Sequence, residues 1–480
     1  MKSILGLILT GVIITFAFLG CSKLTEEYVK GYEDSPLLPA TAPAVKIFAG
    51  AQAAFIEFYE GTPSKLAAIW AQQATGADRQ FMAYDIYNIT ANDFSNDWFL
   101  AYTRVLTNLK IAQQKAQEEG LLNVYGAAKI LEGIHMGTVA ALWGDVPYSE
   151  AAQPERTLTP KYDNQIEVYR AAIAAIDTGI RVLTQNPAAL PQDIFSTGGS
   201  TAKWIRAGYS AKARYLMHLA RKDNYPTDVL DQVISAALNG ITATTRTGTP
   251  PAAGYGTDDL VFTHGTTYQG NMNLWYSFIV QDRSGYLRAL KCYAVRMLGA
   301  RGAAESGRFN YYFTADSNDL RTTGTAAYAA NAYFPVIRAS ETLLLLAEAY
   351  ARKGDLANAV TYLNRANTYN NTIFGTTLRI DYTTADFPTQ AALLQAIFNE
   401  MYLALMHQVE VFNFLRRIDY QIQYTEPGTG RVVPLTPKRG TLFPQRFFYP
   451  QSEVSTNPRI PWIQTADDLF AKTRVNGGTR

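Results

Sequence analysis

Apolar residues recur every three or four positions along most of the chain, which is the spacing of one face of an α-helix. One such stripe consists of Trp98, Tyr102, Val105 and Leu109, and Asn92 or Asp93 could cap the helix that carries it. The same pattern predicts helices over residues 45–60, 127–143, 165–184, 201–221, 339–353, 356–369 and 390–417. We therefore expect a mostly α-helical protein.

Three segments interrupt this pattern: residues 240–275, 302–331 and 424–461. They have no apolar period and are rich in turn-forming residues, with Gly, Thr, Pro and Tyr in the first and proline in the last. Such composition predicts loops, with short strands in the first segment.

One pair of helices matches a known repeat. The tetratricopeptide repeat has small or large apolar residues at fixed positions over 34 residues. If Leu343 occupies the first of these positions, the residues at the following ones have the expected sizes: Ala347, Tyr350, Ala359, Leu363 and Ala366. Gly354-Asp355 falls where the two helices must turn. Because such hairpins bury their faces only against stacked neighbours, further hairpins are expected among residues 100–240. The prediction is a superhelical scaffold of tetratricopeptide-like hairpins.

The N-terminus has the pattern of an export signal. Lys2 precedes the apolar run of residues 4–19, and Gly20-Cys21 follows. The tetrad Phe18-Leu19-Gly20-Cys21 resembles a bacterial lipobox, which implies cleavage after residue 20 and lipid attached to Cys21. A plain signal peptide or an uncleaved anchor is the alternative. Residues 21–43 are polar, contain three prolines and have no apolar period, so we expect them to be a flexible tether.

The charge and cysteine content argue against a nucleic-acid-binding protein and against a protein stabilised by internal disulfides. Lys2 is the only charged residue within residues 1–20, so the mature chain carries 42 basic and 41 acidic residues and gives no indication of nucleic-acid binding. The only other cysteine is Cys292, so the mature monomer has no internal disulfide. The chain has 30 tyrosines, which suit either a wet binding surface or a large helical core.

No motif in the sequence points to catalysis or to a metal. HExxH, Walker, GxGxxG and GxSxG patterns are absent, and the four histidines are scattered without metal-site spacing. Asp145 and Glu150 could form an acid–base pair, but they flank a tight turn, where a structural role is the simpler interpretation. Arg416-Arg417 could bind Glu410 or the carbonyl groups at a helix end, rather than an external anion. The sequence therefore predicts a protein that is not an enzyme and that needs no cofactor.

Several segments, in order along residues 95–460, resemble the SusD/RagB family of nutrient-binding outer-membrane lipoproteins. They are residues 142–151 (LWGDVPYSEA), residues 203–216, residues 341–349 with the Gly354-Asp355 turn, residues 414–417 (FLRR) and residues 446–458 (RFFYPQSE with NP). The chain departs from the family pattern at Ala207-Gly208-Tyr209 and at Asn413, where the family often has aspartate. These departures bear on the subgroup within the family and not on the resemblance to the family itself.

The resemblance implies a single helical domain over residues 44–480, held on the outer membrane by lipid. It also implies that the protein captures oligosaccharides and delivers them to a SusC-like TonB-dependent transporter. Peptides or another nutrient on the same scaffold remain an alternative, as does a lipid-anchored helical glycosidase or an assembly scaffold.

Sugars stack on aromatic rings and form hydrogen bonds with amides and charged groups, and loops on a rigid scaffold present such groups. Two loop regions qualify, residues 80–92 and residues 255–286, and the resemblance favours the second, within a loop-rich region of about 240–331. Each residue also has an alternative role in packing, and Trp275→Ala is expected to weaken glycan binding without unfolding the protein. His264 is a further possible contact. The predicted ligand-binding residues are Tyr84, Tyr87, Tyr255, Tyr268, Asn271, Trp275, Tyr276 and Arg283.

Overall fold

The computed structural model describes residues 42–246, 255–266 and 269–479. The predicted signal peptide, the lipidation residue Cys21 and nearly all of the predicted tether lie outside these residues, as does Tyr268. Within the described residues, no helix is long and apolar enough to cross a membrane.

The chain is mostly helical, as the apolar period predicts. Irregular connections separate the helices, and two short segments, Leu100–Leu106 and Ser277–Asp282, are π-helical. The α-helices are α1 Ala44–Tyr59, α2 Thr62–Trp70, α3 Arg79–Asp85, α4 Ser95–Phe99, α5 Thr107–Glu118, α6 Leu122–Trp143, α7 Gln165–Gln185, α8 Thr201–Lys222, α9 Thr227–Leu238, α10 Leu274–Tyr276, α11 Tyr293–Ala300, α12 Ser306–Tyr312, α13 Ala339–Arg352, α14 Leu356–Phe374, α15 Gln390–Ala404, α16 Glu410–Arg417 and α17 Gln451–Thr456.

Within the described residues, the strands are short and form three two-stranded antiparallel sheets. β1 pairs with β3, β2 with β4, and β5 with β6. The bounds are β1 Thr75–Gly76, β2 Leu260–Phe262, β3 Leu287–Arg288, β4 Phe334–Ile337, β5 Gln423–Thr425 and β6 Val432–Pro434.

Consecutive helices pack as antiparallel hairpins, which confirms the tetratricopeptide-like scaffold. α5 packs on α6, α6 on α7, α7 on α8 and α8 on α9, and α9 contacts the hairpin of α13 and α14. Small residues allow the closest of these approaches. A Cβ atom added to Gly133 of α6 would lie 2.5 Å from the Ala172 carbonyl oxygen of α7, so only glycine fits there.

The hairpin of α13 and α14 contains the repeat recognised in the sequence. Leu343, Ala347, Ala359 and Ala366 are fully buried between the two helices. Gly354 has φ +83° at the turn, a conformation that residues with a Cβ atom rarely adopt.

The predicted helix over residues 390–417 is wrong in one respect, because it is two helices, α15 and α16. His407 lies between them with φ +59°. Its N–H donates to Gln73 Oε1 at 2.7 Å, and its ring contacts the Gln73 carbonyl oxygen at 2.9 Å. The break is therefore stabilised by a residue more than 300 positions away, and neither glycine nor proline marks it in the sequence.

The motif residues flanking α6 and those of α16 have structural roles. Asp145 accepts the backbone N–H of Gln165 at the start of α7 and pairs with Arg474 at 2.7 Å. Glu150 pairs with Arg459 at 2.8 Å. Arg416 is buried and donates to the Ala141 carbonyl oxygen near the end of α6, where the helix dipole is negative.

Candidate functional site

The two loop regions that the sequence singled out lie side by side. β1, just before the first region, pairs with β3, just after the second, with Gly76 opposite Leu287. The rings of the two regions then pack together, with Phe81 of α3 at 5.0 Å from Phe278 and 6.2 Å from Tyr286. Segments about 200 residues apart thus form one surface.

A cleft of about 610 Å³ opens beside this contact. Its volume lies within the range usual for small-molecule sites, about 300–1,000 Å³. We call it the loop cleft, and its lining residues are Ala77, Asp78, Ile279, Val280, Ser284, Gly285, Leu287, Arg288, Leu290, Asp319, Leu320 and Thr322.

The loop cleft combines a buried apolar base with accessible apolar and polar groups. Leu287 and Leu320 are buried, whereas Val280 is 41% and Leu290 is 40% exposed. Exposed aliphatic side chains beside hydroxyl and carboxylate groups suit a ligand with both C–H faces and hydroxyl groups.

One ion pair forms the polar wall. Arg288 on β3 donates to both carboxylate oxygens of Asp319, at 2.5 and 3.0 Å, and these hydrogen bonds raise the pKa of Arg288. Both side chains are more than a third exposed, so the pair contributes little to folding stability but presents a fixed, charged hydrogen-bonding group to the cleft.

The loops that carry these groups are tied together by backbone hydrogen bonds. The Ala77 N–H donates to the Tyr286 carbonyl oxygen at 2.8 Å. The N–H groups of Ala289 and Leu290 both donate to the Asn318 carbonyl oxygen at 3.0 Å. The cleft therefore has walls held in place before any ligand arrives, which lowers the entropy cost of binding.

Three of the predicted site residues lie at or near this surface. Arg283 is exposed, with its guanidinium group 5.8 Å from the centre of the Tyr286 ring. Tyr276 is half-buried, one residue before the π-helical segment that enters the cleft. Tyr84 is half-buried and its hydroxyl donates to Asp93, so this polar tip already has a partner.

Two other predicted site residues are buried. The Trp275 ring is fully buried, stacks on Tyr328 at 5.1 Å and donates to Ser64 Oγ at 3.0 Å. Tyr87 is 7% exposed, and its hydroxyl accepts the backbone N–H of Lys438. Both rings are therefore covered by other residues of the protein, and Trp275 lies at the base of the loop.

The remaining predicted residues lie elsewhere in the loop-rich region. Tyr255 is half-buried and its ring centre is 5.2 Å from that of Tyr333. Asn271 accepts the backbone N–H of Gly265 through its carbonyl oxygen. His264, the further candidate, is buried and its Nε2 atom is 2.7 Å from Glu60 Oε2. Of the seven predicted residues that the structure describes, none is among the lining residues of the loop cleft.

Sequence reasoning missed the residues that do line it, above all Val280, Arg288, Leu290 and Asp319. Val280 lies inside the second predicted loop region, but an aliphatic side chain gives no local sign that distinguishes ligand contact from packing. The polar turn at residues 314–319, rich in Asp and Asn, was a signal within the irregular segment 302–331. Among the described residues, no group of three His, Cys, Asp or Glu side chains could hold a metal ion.

Comparison with known proteins agrees with this architecture. Residues 38–450 match the model of the SusD-like family described as starch-binding and associating with the outer membrane. No curated protein sequence is significantly similar to the chain.

Among solved structures, the chain is similar to a SusD/RagB family protein from Bacteroides thetaiotaomicron, with a TM-score of 0.65 and 19% identity, covering 92% of this chain and 100% of that one. A SusD homologue from Bacteroides fragilis has a TM-score of 0.67 and 16% identity, covering 91% and 100%. A chitin-binding SusD homologue from Flavobacterium johnsoniae has a TM-score of 0.65 and 15% identity, covering 90% and 98%. At these identities the likeness establishes the fold.

Proposed function

The chain belongs to the SusD-like family, and from that premise we propose that it is a cell-surface lipoprotein that captures oligosaccharides in the loop cleft. In this proposal Cys21 carries the lipid, and the captured glycan passes to a SusC-like TonB-dependent transporter in the outer membrane. The protein binds its ligand and does not hydrolyse it.

The observation that carries the proposal is the loop cleft itself, which brings together residues 77–78, just before the first loop region, residues 279–290 and residues 319–322. The cleft is preformed, has a volume usual for small-molecule sites, and is lined by both aliphatic and hydrogen-bonding side chains. Its position on loops above a rigid helical scaffold is where binding functions concentrate. The chitin-binding protein among the similar structures supports a glycan as the ligand.

The first experiment is a glycan-array screen of the purified full-length protein in detergent, with β-linked N-acetylglucosamine oligosaccharides included. We expect binding to one class of glycan and no cleavage products. Product analysis by mass spectrometry checks the second point, and release of shorter oligosaccharides would contradict a pure capture role. If the folded protein binds none of the glycans but binds peptides, the choice of a glycan as the ligand is wrong.

Two variants then locate the site by calorimetry on the identified glycan. Val280→Ser removes accessible apolar surface from the loop cleft and should weaken binding by about fivefold, the effect of roughly 1 kcal/mol of lost apolar contact. Its matched control is Ile380→Ser, which makes a similar exchange at a side chain that is 50% exposed and outside the cleft.

Asp319→Asn tests the polar wall, because it weakens the bidentate pair and leaves Arg288 free to move. Its control is Asp381→Asn, an exposed carboxylate that pairs with Arg379 outside the cleft. If both cleft variants bind the glycan as well as their controls do, the loop cleft is not the site.

The anchor is tested separately with Cys21→Ala in the native host. We expect the variant to leave the outer-membrane fraction, and uptake of a fluorescent glycan to fall while the affinity of the purified protein is unchanged. Retention of the variant in the membrane would overturn the lipid assignment.

A further inference from the structure

A second cavity, of about 540 Å³, lies where α5, α6 and α7 meet the loop between α6 and α7. None of its residues lines the loop cleft, and none was predicted from the sequence. We call it the lysine pocket, and it is lined by Lys110, Lys129, Glu132, Tyr148, Ser149, Gln153, Lys161, Asp163, Glu167, Val168, Ala171, Ala174, Ala175 and Thr178.

A buried carboxylate, Glu132 on α6, forms the floor of the lysine pocket. Its side chain is 1% exposed, and four donors satisfy it. Lys110 and the Tyr148 hydroxyl donate to Oε1, and Lys129 and the Gln113 amide donate to Oε2. A carboxylate with four donors has no acceptor capacity left for a ligand.

Two ammonium groups share this one carboxylate. Burial alone raises the pKa of Glu132, but Lys110 and Lys129 outweigh it and hold that pKa at about 2, so the floor carries one negative charge at neutral pH. Within the described part of the chain, Glu132 is the only carboxylate paired with either lysine. One positive charge is therefore left over.

Both ammonium groups remain accessible from the cavity. The Lys110 side chain is 35% exposed and the Lys129 side chain is 19% exposed. An ammonium group has three N–H donors. Lys110 and Lys129 each donate to one oxygen of Glu132, so donors remain that can turn toward a ligand.

The loop side of the lysine pocket adds a third lysine, Lys161, beside the carboxylate of Asp163. Asp163 accepts the backbone N–H groups of Tyr148 and Ser149 and the Ser149 hydroxyl, so its oxygens are occupied. Lys161 pairs with Asp163 at 3.3 Å, and its side chain is 47% exposed. Glu167, exposed in the first turn of α7, is the remaining carboxylate of the lining.

We propose that the lysine pocket binds a carboxylate-bearing sugar, a uronic acid unit, with its carboxylate between Lys110 and Lys129. The compact ammonium charges suit a small anion, and the alanines of α7 leave room for one pyranose ring beside Tyr148. The inference that the ligand is an anion rests on the lysines alone, whereas the choice of a sugar acid rests on the proposed function. The chain would then have a charge-selective site separate from the loop cleft.

The test is calorimetry on the full-length protein in detergent with galacturonate and galactose, which differ mainly in the carboxylate. We expect galacturonate to bind and galactose not to bind. Affinity should fall as salt is raised, because the attraction is between charges that solvent reaches. Galactose 6-sulfate is included to distinguish a carboxylate from a sulfate ester.

Two variants change the charge of the lysine pocket in opposite directions. Lys129→Met keeps the aliphatic stem and should weaken galacturonate binding by about tenfold or more, the effect of losing a charged hydrogen bond. Glu167→Gln removes a repelling carboxylate from the rim and should strengthen binding about twofold. Lys115→Met is the matched control, since Lys115 pairs with Glu118 outside the pocket. Melting temperatures check that each variant folds.

Equal binding of galactose and galacturonate, tighter binding of the sulfate ester, or no binding of galacturonate at millimolar concentration would each overturn the proposal. Loss of galacturonate binding in Val280→Ser but not in Lys129→Met would assign the anion to the loop cleft instead. Failure of the proposed function would give a different result. The affinity for neutral glycans would then be unchanged in Val280→Ser and Asp319→Asn, whether or not galacturonate binds.

Discussion

Replacing Glu348 with glutamine should destabilise the protein in a way that depends on pH. Glu348 on α13 is fully buried and accepts two hydrogen bonds from Arg417 on α16, as well as one from Arg352 at 2.8 Å. Glu348 and Arg417 belong to the two motif segments 341–349 and 414–417, and their ion pair gives the charged residues of both segments a structural role. Removing the carboxylate leaves a buried guanidinium without its counter-charge.

The magnitude follows from the pKa of Glu348. Burial raises this pKa, but Arg417 and Arg352 more than offset burial and lower it from 4.5 to about 2. Because the pKa is depressed on folding, the stabilisation is complete above pH 4.5 and is lost as the pH falls from 4.5 through 2. The difference corresponds to about 3 kcal/mol at pH 7 and to about 1 kcal/mol at pH 3.

Urea denaturation of the wild type and of Glu348→Gln at pH 7, 5 and 3, followed by circular dichroism, measures this difference. Glu155→Gln is the control, because Glu155 is exposed and the same exchange there should have little effect at any pH. A loss below 1 kcal/mol at pH 7, or one that does not shrink between pH 5 and pH 3, would refute the reasoning.

Three further predictions concern buried groups. Trp275→Ala should cost about 3–5 kcal/mol of unfolding free energy in denaturant titration, since the ring is fully buried; an unchanged midpoint would contradict the packing role. Burial raises the pKa of Asp97 to about 8, so its folded form holds a proton that the unfolded chain releases above pH 3.8. Asp97→Asn should therefore raise the melting temperature increasingly from pH 4 to pH 8, and a pH-independent effect in thermal scans would refute this. Gly137→Ala places a Cβ atom about 2.3 Å from the Tyr215 ring, so a fall in melting temperature is expected, and no change would show that α6 and α8 can separate without cost.

The sequence determined the local elements of this protein. Apolar residues at helical spacing require a buried face, so the helices, and the hairpin of α13 and α14 with Gly354 at its turn, could be predicted from nearby residues alone. The family motifs and the features of the N-terminal segment could also be read directly, since each depends on residues close together in the chain.

The tertiary structure decided where the candidate sites lie. The loop cleft exists because β1 pairs with β3. The lysine pocket exists because α5 packs on α6, which brings Lys110 to the carboxylate that Lys129 also contacts. The burial of Trp275 and the helix break at His407 could not be predicted from the sequence either. The neighbouring residues in the chain are the same whether distant residues or solvent cover the side chain. Contacts between residues hundreds of positions apart decide burial, pairing and backbone breaks, and no local pattern in one sequence contains them.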